Sequence, residues 1–354
     1  MRASIFVLIA LIITISLGAE VFPVPQLPWA PLHYVCHKAQ EDILIDGVLD
    51  DPDWQKALWT EAFTDIEGDL KPAPFYETRV KMLWNDRGLY IAAHMEEEHI
   101  WAFLTERDAV IFYDNDFEVF IDPDGDTHEY YELEINALGT LWDLFLIKPY
   151  RDEHSAIDAW DIRGIEYAIG IEGTVNDPSD TDTAWTVEML IPWEYLAQRA
   201  HKPVPPVDND HWRINFSRVH WETDIVDGKY VKRQKPEYNW VWSPQGLIAM
   251  HYPERWGFLI FSHLPPGSKT IDFEIPVYEH AREYLRQLYY RQKQYWMDHR
   301  SYAGSLKKLK AKPFAWQGFT LKPVIETTSE TFLIKLDGKK LFPAIRITED
   351  GRCR

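Results

Sequence analysis

Two strict alternations of apolar and polar residues meet across a turn between Tyr113 and Asp143. The pattern predicts a β-hairpin with two different faces, because successive side chains of a strand point to opposite sides. The apolar face carries Phe117, Val119 and Ile121 opposite Tyr131, Leu133 and Ile135. The acidic and aromatic face carries Glu118, Phe120, Tyr130, Glu132, Glu134 and Asn136. Since strands that face water more often carry Lys, Thr and Ser, we interpret the second face as a polar ligand surface.

Shorter alternations of the same kind, separated by turn residues, continue to Phe261. Residues 80–84 and 89–95 flank the turn Asn85–Gly88, which is typical of a hairpin. Further strands are predicted at Ile43–Ile45, Leu141–Ile147, Gly164–Ile171, Ala184–Leu190, Trp212–Trp221 and Trp256–Phe261, with one or two helical turns between Asp50 and Trp59. About eight to ten short strands without long helices predict an all-β fold, an antiparallel β-sandwich of the lectin-like or immunoglobulin-like two-sheet kind.

The pattern changes after Pro265-Pro266-Gly267. Apolar residues near helical spacing predict one long helix over 277–300. Two strand-like runs, 331–336 and 341–347, then predict a hairpin. We therefore expect four parts in the chain: a signal peptide (1–18), a Pro-rich linker (19–33), a β-sandwich module (34–262) and a small helix-plus-hairpin extension (274–354).

The N-terminus has the pattern of a secretory signal. Met1-Arg2 precedes an apolar run from Ile5 to Leu17, and small residues stand before Ala19. The run is shorter than the roughly 20 residues of a membrane span, and no stop-transfer pattern follows it. We expect an exported protein, periplasmic or extracellular, without stable membrane insertion.

Charge and composition narrow the choice of ligand. The formal charge of −19 repels phosphate backbones and anionic lipid, which argues against nucleic acid as a partner. The 16 Trp, 18 Tyr and 17 Phe residues supply flat apolar faces, some in the core and some as platforms for a ligand. Two cysteines, Cys36 and Cys353, are too few for a disulfide framework; a single bridge and two unpaired thiols both remain open.

Six segments in order carry a family resemblance. They are Ile45-Asp46-Gly47 with Asp50 and Trp54, VKMLWNDRGLYIAA, DNDFEVFIDP, WTVEMLIPW, WRINFSR, and VWSP with RWGFLIF. Together they resemble family 9 carbohydrate-binding modules over Tyr34–Ser262. The resemblance implies a β-sandwich that holds a sugar, often at a chain end, between two aromatic side chains. Polar groups in such a site bond to the sugar hydroxyls.

The resemblance also implies site residues. Trp242 in VWSP matches one aromatic wall, and Phe112 and Tyr113 stand where the family has the Trp of the other wall. Glu118 matches the acid that bonds to the sugar. The strand with Asn215, Ser217 and Arg218 supplies a further polar contact, with Ser217 at the position of the family's amide. Two alternatives remain open: Trp242 as a core residue, and Glu118 as a solvated carboxylate or a partner of Arg218.

Closely spaced acids raise the question of a metal. Asp122 and Asp124 supply the hard oxygens that calcium prefers, but an EF-hand loop from Asp122 would need Gly at Thr127 and Glu at Leu133. A hairpin turn explains the same residues. The resemblance keeps structural calcium open, with Asp114 and Asp116 as further candidate ligands, and no other cofactor is expected.

We interpret the chain as an exported carbohydrate-binding protein, accessory to polysaccharide breakdown and with a polysaccharide-degrading enzyme as a potential partner. One alternative is a glycoside hydrolase, since the many carboxylates could include a pair at about 5–9.5 Å. Another is a haem-binding β-sandwich module. Its candidate ligands are Met82, His94, Met95 and His128. A non-catalytic binding module is favoured, because the rest of the sequence leaves no room for a separate catalytic domain.

Overall fold

The computed structural model describes residues 21–153, 156–269 and 271–354. The predicted signal peptide, residues 1–18, lies outside the described residues. Within those three ranges, no helix combines the length and the apolar character that crossing a bilayer requires.

Strands dominate the chain up to residue 262. They are β1 (His33–Lys38), β2 (Thr64–Asp65), β3 (Thr78–Trp84), β4 (Gly88–Glu96), β5 (Asp116–Asp122), β6 (Tyr130–Asn136), β7 (Leu141–Leu146), β8 (Ala156–Ile157), β9 (Glu166–Glu172), β10 (Ala184–Pro192), β11 (His211–His220), β12 (Thr223–Val226), β13 (Lys229–Lys232), β14 (Tyr238–Val241) and β15 (Gly257–Ser262). Thirteen of them form one sheet in the order β8-β7-β6-β5-β11-β15-β1-β3-β4-β10-β9, with β14 paired to β11 and β2 to β14. The strands β12 and β13 pair with each other as a separate hairpin.

The main sheet folds over on itself around a single core. Phe117 and Phe216 from the half that contains β5 and β11 lie in the same apolar cluster as Met82 and Trp185 from the half that contains β3 and β10. Burial of these large side chains between the two halves is the main stabilising contribution to the sandwich. The prediction of an all-β sandwich is confirmed. Strand β1 differs from the other strands of the described sheet, because it pairs parallel to both β15 and β3.

The predicted register of the central hairpin is confirmed. Val119 lies opposite Leu133, so the apolar face of β5 and β6 turns into the core and the acidic face turns away from it. The strand predicted at Ile43–Ile45 is wrong, because these residues form no strand. The segment that follows is instead held by a carboxylate: the backbone N–H of Gly47 and the indole of Trp54 both donate to Glu188.

Short helices frame the sandwich, and a long one follows it. Helix α1 (Pro52–Lys56) confirms the predicted helical turn, and α2 (Trp193–Leu196) follows β10. Helix α3 (Val277–His299) confirms the predicted long helix.

The C-terminal extension carries more strands than the sequence pattern predicted. They are β16 (Phe314–Trp316), β17 (Phe319–Leu321), β18 (Val324–Thr327), β19 (Phe332–Leu336) and β20 (Ile345–Thr348). The antiparallel pair β19–β20 fits the predicted hairpin, whereas β16, β17 and β18 were not predicted. Helix α3 buries Leu285 and Leu288 in a cluster that includes apolar residues of these strands and Tyr252 of the sandwich.

The Pro-rich segment over residues 21–32 packs along the seam between the sandwich and α3. The backbone N–H of Phe22 donates to Gln294 of α3 at 2.9 Å. From the sandwich side, the hydroxyl of Tyr252 donates to the carbonyl of Pro23 and the guanidinium of Arg255 donates to that of Pro28. This part of the predicted linker is therefore an ordered strip of the fold.

Both cysteines are buried free thiols. Of the two readings that the sequence left open, unpaired Cys36 and Cys353 is the one that the structure shows.

Candidate functional site

A cleft with a volume of about 380 Å³ lies over the acidic face of β5, β6 and β7. The strands form its floor, a short 3₁₀ turn at Ile111–Tyr113 forms one side, and the loop between β14 and β15 covers it. Its lining consists of Ile66, Phe112, Glu118, Phe120, Glu132, Glu134, Trp142, Leu144, Tyr150, Val219, Glu237, Asn239, Ile248, Ala249, Met250 and His251. We call this site the acidic cleft.

The sheet register aligns the polar residues of the floor in a row. Ser217, Glu118, Glu134 and Trp142 lie directly opposite one another on the consecutive strands β11, β5, β6 and β7. Like charges directly opposite on adjacent strands destabilise a sheet. The facing glutamates therefore reduce stability, which favours a role in binding over a role in folding.

The carboxylates of the floor are buried, and their proton affinity is shifted. Burial raises the pKa of Glu118 to about 7, even though a hydrogen bond from Ser217 acts in the opposite direction. Burial, and next the charge of Glu118, raise the pKa of Glu132, Glu134 and Asp116 well above the ordinary range. A positively charged group bound next to these carboxylates would favour their ionised form and lower their pKa.

Several polar atoms at the floor have no hydrogen-bond partner among the described residues. They are Oδ2 of Asp116, Oε2 of Glu132 and the indole N–H of Trp142. Buried polar atoms are nearly always hydrogen-bonded, so such atoms next to a cleft indicate the place of a ligand or water. The cleft offers acceptors and a donor to whatever fills it.

Aromatic rings complete the lining. Phe112, Phe120, Trp142 and Tyr150 contribute to the walls. Tyr150 packs on His251 with the ring centroids 4.1 Å apart. Aromatic faces next to hydrogen-bonding groups suit a ligand with apolar C–H faces and a polar rim.

Of the predicted aromatic walls, Phe112 lies in the cleft and Tyr113 lies beside it. Tyr113 is half exposed, and its carbonyl accepts a hydrogen bond from Lys232. Trp242 is 0% exposed, belongs to the sandwich core and donates its indole N–H to Glu61 at 3.1 Å. A fully enclosed ring offers no face to a ligand. For Trp242 the structure therefore corrects the expectation of a wall and shows the core alternative.

The predicted polar residues separate by face. Glu118 lies in the cleft, and Ser217 supports it from the neighbouring strand. Asn215 exchanges two hydrogen bonds with the backbone of Ser243, which orders the start of the covering loop. Arg218 points to the opposite face, where it pairs with Glu97. Arg218 is therefore neither a cleft residue nor the partner of Glu118.

Most of the predicted metal ligands are engaged in local structure. Asp114 Oδ2 accepts the backbone N–H groups of Phe103 and Leu104 at 2.8 Å each and so organises a loop. Asp122 accepts the N–H groups of Gly125 and Thr127, as expected for a hairpin turn. Of the four candidates, Asp116 is the one that lies beside the acidic cleft, within reach of Glu118 and Glu134.

Arginines contact the Asp122–Asp126 turn, where carboxylate oxygens of Asp122, Asp124 and Asp126 lie within 4.8 Å of one another. Arg352 and Arg354 each bond Asp126 through Nε at 2.7 Å, and Arg282 donates to the carbonyl of Asp124. The turn is a docking point for the C-terminal extension, and calcium at Asp122 and Asp124 stays a prediction.

The candidate haem ligands lie in different parts of the fold. Met82 and Met95 are buried in the sandwich core, and His128 lies beside Asp350 of the extension. The described residues bring none of them into the acidic cleft.

Sequence reasoning missed some of the lining. Glu132 and Glu134 were placed on the correct face but not named as site residues. Trp142 was missed, although the alternation of β7 places it beside Glu134. Asn239 and the covering loop at 248–251 carry no local pattern, because long-range packing brings them to the cleft.

Solved structures that are similar to this chain include a bacterial protein and two complexes of one binding module. A candidate carbohydrate-binding protein from Bacteroides uniformis is 18% identical, with a TM-score of 0.49, and the match covers 66% of this chain and 100% of that one. A family 9 carbohydrate-binding module from Caldicellulosiruptor kristjanssonii, in complexes with cellotriose and with glucose, gives 13% and 15% identity. Each of these two matches has a TM-score of 0.42 and covers 68% of this chain and 100% of the other. None of the curated protein sequences matches this chain.

A family model provides the assignment. The model of the carbohydrate family 9 binding domain-like proteins matches residues 45–224, just over half of the chain. The matched range includes the strands β5, β6 and β7 that form the floor of the acidic cleft. This chain therefore belongs to the carbohydrate family 9 binding domain-like family.

Proposed function

We propose that this chain is an exported carbohydrate-binding protein whose acidic cleft holds the end of a saccharide chain. The observation that carries the proposal is the cleft itself, in a chain of this family. The rings of Phe112 and Trp142 line the cleft together with the buried carboxylate of Glu132. Within the described chain, Oε2 of Glu132 and the indole N–H of Trp142 have no hydrogen-bond partner. A sugar ring has apolar C–H faces and hydroxyls that are donors and acceptors at once.

The size of the cleft supports recognition of a chain end. Its volume of about 380 Å³ lies near the lower limit of the roughly 300–1,000 Å³ typical of small-molecule sites. The covering loop, with Ile248 and Met250, lies over the floor. A short terminal piece of a saccharide fits such a site better than the middle of a long chain.

The location and the biological role are proposed from the sequence. The basic start, apolar run and small residues up to Gly18 support export, and a role beside a polysaccharide-degrading enzyme suits an exported sugar-binding protein. The mass of the protein secreted by its host checks the export proposal, since cleavage would leave Ala19 at the N-terminus.

Calorimetric titration of the purified protein tests the binding proposal. The panel consists of mono- and oligosaccharides and of the same oligosaccharides with reducing ends converted to alditols. Binding that is lost on reduction supports recognition of a reducing chain end, and binding that persists contradicts it. Absence of binding across the whole panel would overturn the proposed function.

Two tryptophan variants locate the site. Trp142→Ala should weaken binding by about tenfold or more, because burial of a large apolar side chain against a ligand contributes roughly 1.5–3 kcal/mol. Trp59→Ala is the matched control, since Trp59 is partly exposed and does not line the acidic cleft. Equal effects of the two substitutions would place the binding site elsewhere.

A further inference from the structure

Acidic side chains outnumber basic ones in the lining of the acidic cleft. Four glutamates line it, and no lysine or arginine of the described chain does. The basic lining residue is His251, whose Nδ1 lies 2.8 Å from the hydroxyl of Tyr130 and whose Nε2 lies 3.9 Å from Glu132. Lys232 outside the cleft is bonded to the carbonyl of Tyr113.

Four other glutamates are buried in the described chain, and one of them, Glu188, accepts N–H groups of Gly47 and Trp54 without an arginine. Three of them have an arginine within 3.0 Å: Glu97 with Arg218, Glu254 with Arg151, and Glu279 with Arg213. Desolvation makes an isolated buried carboxylate costly, and these arginines offset that cost. The cleft acids have no such arginine within the described chain, and a cationic ligand would offset the cost of burying them.

The geometry of the acids fits an ammonium group. One carboxylate oxygen from each of Asp116, Glu118 and Glu134 lies within 4.8 Å of the other two. A centre between three such oxygens is at most about 2.8 Å from each, which matches the roughly 2.7–2.9 Å of a charge-assisted N–H···O bond. An ammonium has three N–H donors, one for each oxygen. Independent evidence comes from two buried acceptors, Oδ2 of Asp116 and Oε2 of Glu132, which have no hydrogen-bond donor among the described residues.

We propose that the saccharide unit held in the acidic cleft carries a protonated primary amine, as de-N-acetylated amino sugars do. This inference rests on the proposed function. The aromatic lining around Phe112 and Trp142 accommodates the sugar ring, and the carboxylates of Glu118 and Glu134 accept the ammonium. A bare divalent cation would satisfy the acids but leave the aromatic part of the cleft unused.

Calorimetry near neutral pH with glucosamine, glucose and N-acetylglucosamine tests this inference on the full-length protein. These sugars differ at a single carbon, which bears an ammonium in glucosamine, a hydroxyl in glucose and a neutral amide in N-acetylglucosamine. We expect glucosamine to bind about tenfold or more tightly than the other two, because hydrogen bonds to charged groups are the stronger ones. Added salt should reduce this preference.

Charge-removing variants identify the recognition element. Glu134→Gln should reduce the preference for glucosamine over glucose by about tenfold. Glu172→Gln is the control, because it makes the same chemical change at an exposed position on β9 in the other half of the sandwich. A cooperative thermal unfolding transition verifies that each variant is folded. If Glu134→Gln does not fold, Glu132→Gln replaces it as the test variant.

The outcomes separate the two proposals. Glucose bound as tightly as glucosamine would overturn the ammonium inference and leave the proposed saccharide function in place. No binding of any of these sugars or of the wider oligosaccharide panel would overturn both. A titration with calcium chloride alone that shows tight binding, abolished in Glu134→Gln, together with no preference for glucosamine, would assign the acids to a cation and overturn the inference.

Discussion

Trp242 and Gly257 are fitted to each other in the sandwich core. A Cβ atom on Gly257 would lie 2.5 Å from the indole ring of Trp242, closer than carbon atoms can approach. The absence of a side chain at this position of β15 makes room for the ring. Close packing of this kind means that either residue is sensitive to a change of volume.

Trp242→Ala should therefore lower the free energy of unfolding by about 3–5 kcal/mol, the usual cost of truncating a large buried aromatic side chain. Urea denaturation at constant temperature measures the change. The variant should keep its saccharide affinity for as long as it is folded, because the ring does not reach the acidic cleft. Normal stability combined with lost binding would contradict this and reinstate Trp242 as a wall of the site.

At the scale of the secondary-structure elements, the hairpin β5–β6 has two opposite functions. Its inner face, with Val119 and Leu133, stabilises the core, and its outer face sets Glu118 directly opposite Glu134. Such an arrangement makes the stability of the hairpin depend on pH. A group whose pKa is higher in the folded than in the unfolded protein stabilises the fold when protonated.

The sign of the pH effect follows for Glu118, whose pKa rises from 4.5 to about 7 on burial. Its contribution to stability should be fully present below about pH 4.5 and lost as the pH rises through 7. Relative to Glu118→Gln, the wild-type protein should lose on the order of 3 kcal/mol between pH 5 and 8. Thermal or urea unfolding of both proteins across this range measures the difference.

Subtraction of the variant isolates Glu118 from other titrating groups. Burial lowers the pKa of His211 to about 4, so its effect on stability has the opposite sign between pH 4 and 6.5, but it is present in both proteins and cancels. A difference between wild type and variant that does not change with pH would show that Glu118 is ionised in the fold throughout, contrary to this expectation.

The elements that the sequence could predict are those in which apolar residues recur at a regular spacing. The alternation around Phe117 gave the strand, its register and the acidic face, and the helical spacing gave α3 to within one residue. The role of Trp242 could not be read in this way, because alternation does not tell a buried face from a ligand-binding face. The covering loop at 248–251 and the short strands β16 and β17 depend on tertiary contacts that no local pattern encodes.

At the scale of the whole molecule, a buried network of charges joins the C-terminal extension to the sandwich. Glu254 of the sandwich pairs with Arg151 and with Arg286 of α3, and it also accepts a hydrogen bond from Tyr290. Burial raises the pKa of Glu254, but the two arginines outweigh it and lower the pKa to about 2. The extension is therefore docked through groups that cannot be exposed singly without cost.

Glu254→Ala should destabilise the protein by about 3–5 kcal/mol, because it leaves two buried arginines without their carboxylate. Urea unfolding, followed by tryptophan fluorescence, gives the change. Glu222→Ala is the control: Glu222 also pairs with an arginine, Arg233, but at an exposed site, so its loss should cost at most about 1 kcal/mol. Comparable small losses for both variants would mean that the interface contributes little and that the extension is an independent appendage.

The Pro-rich strip has a consequence for the order of events during folding. The bond between Phe22 and Gln294 links residues 272 positions apart, so the seam cannot close until nearly the whole chain is available. Contacts this distant in sequence slow folding, because a long stretch of chain must be ordered before they form. The sandwich strands can pair first, while the strip and the apolar surface around Tyr252 remain uncovered until α3 docks. The seam is therefore expected to form late in folding, and a chain in which it has not formed leaves the apolar surface around Tyr252 uncovered.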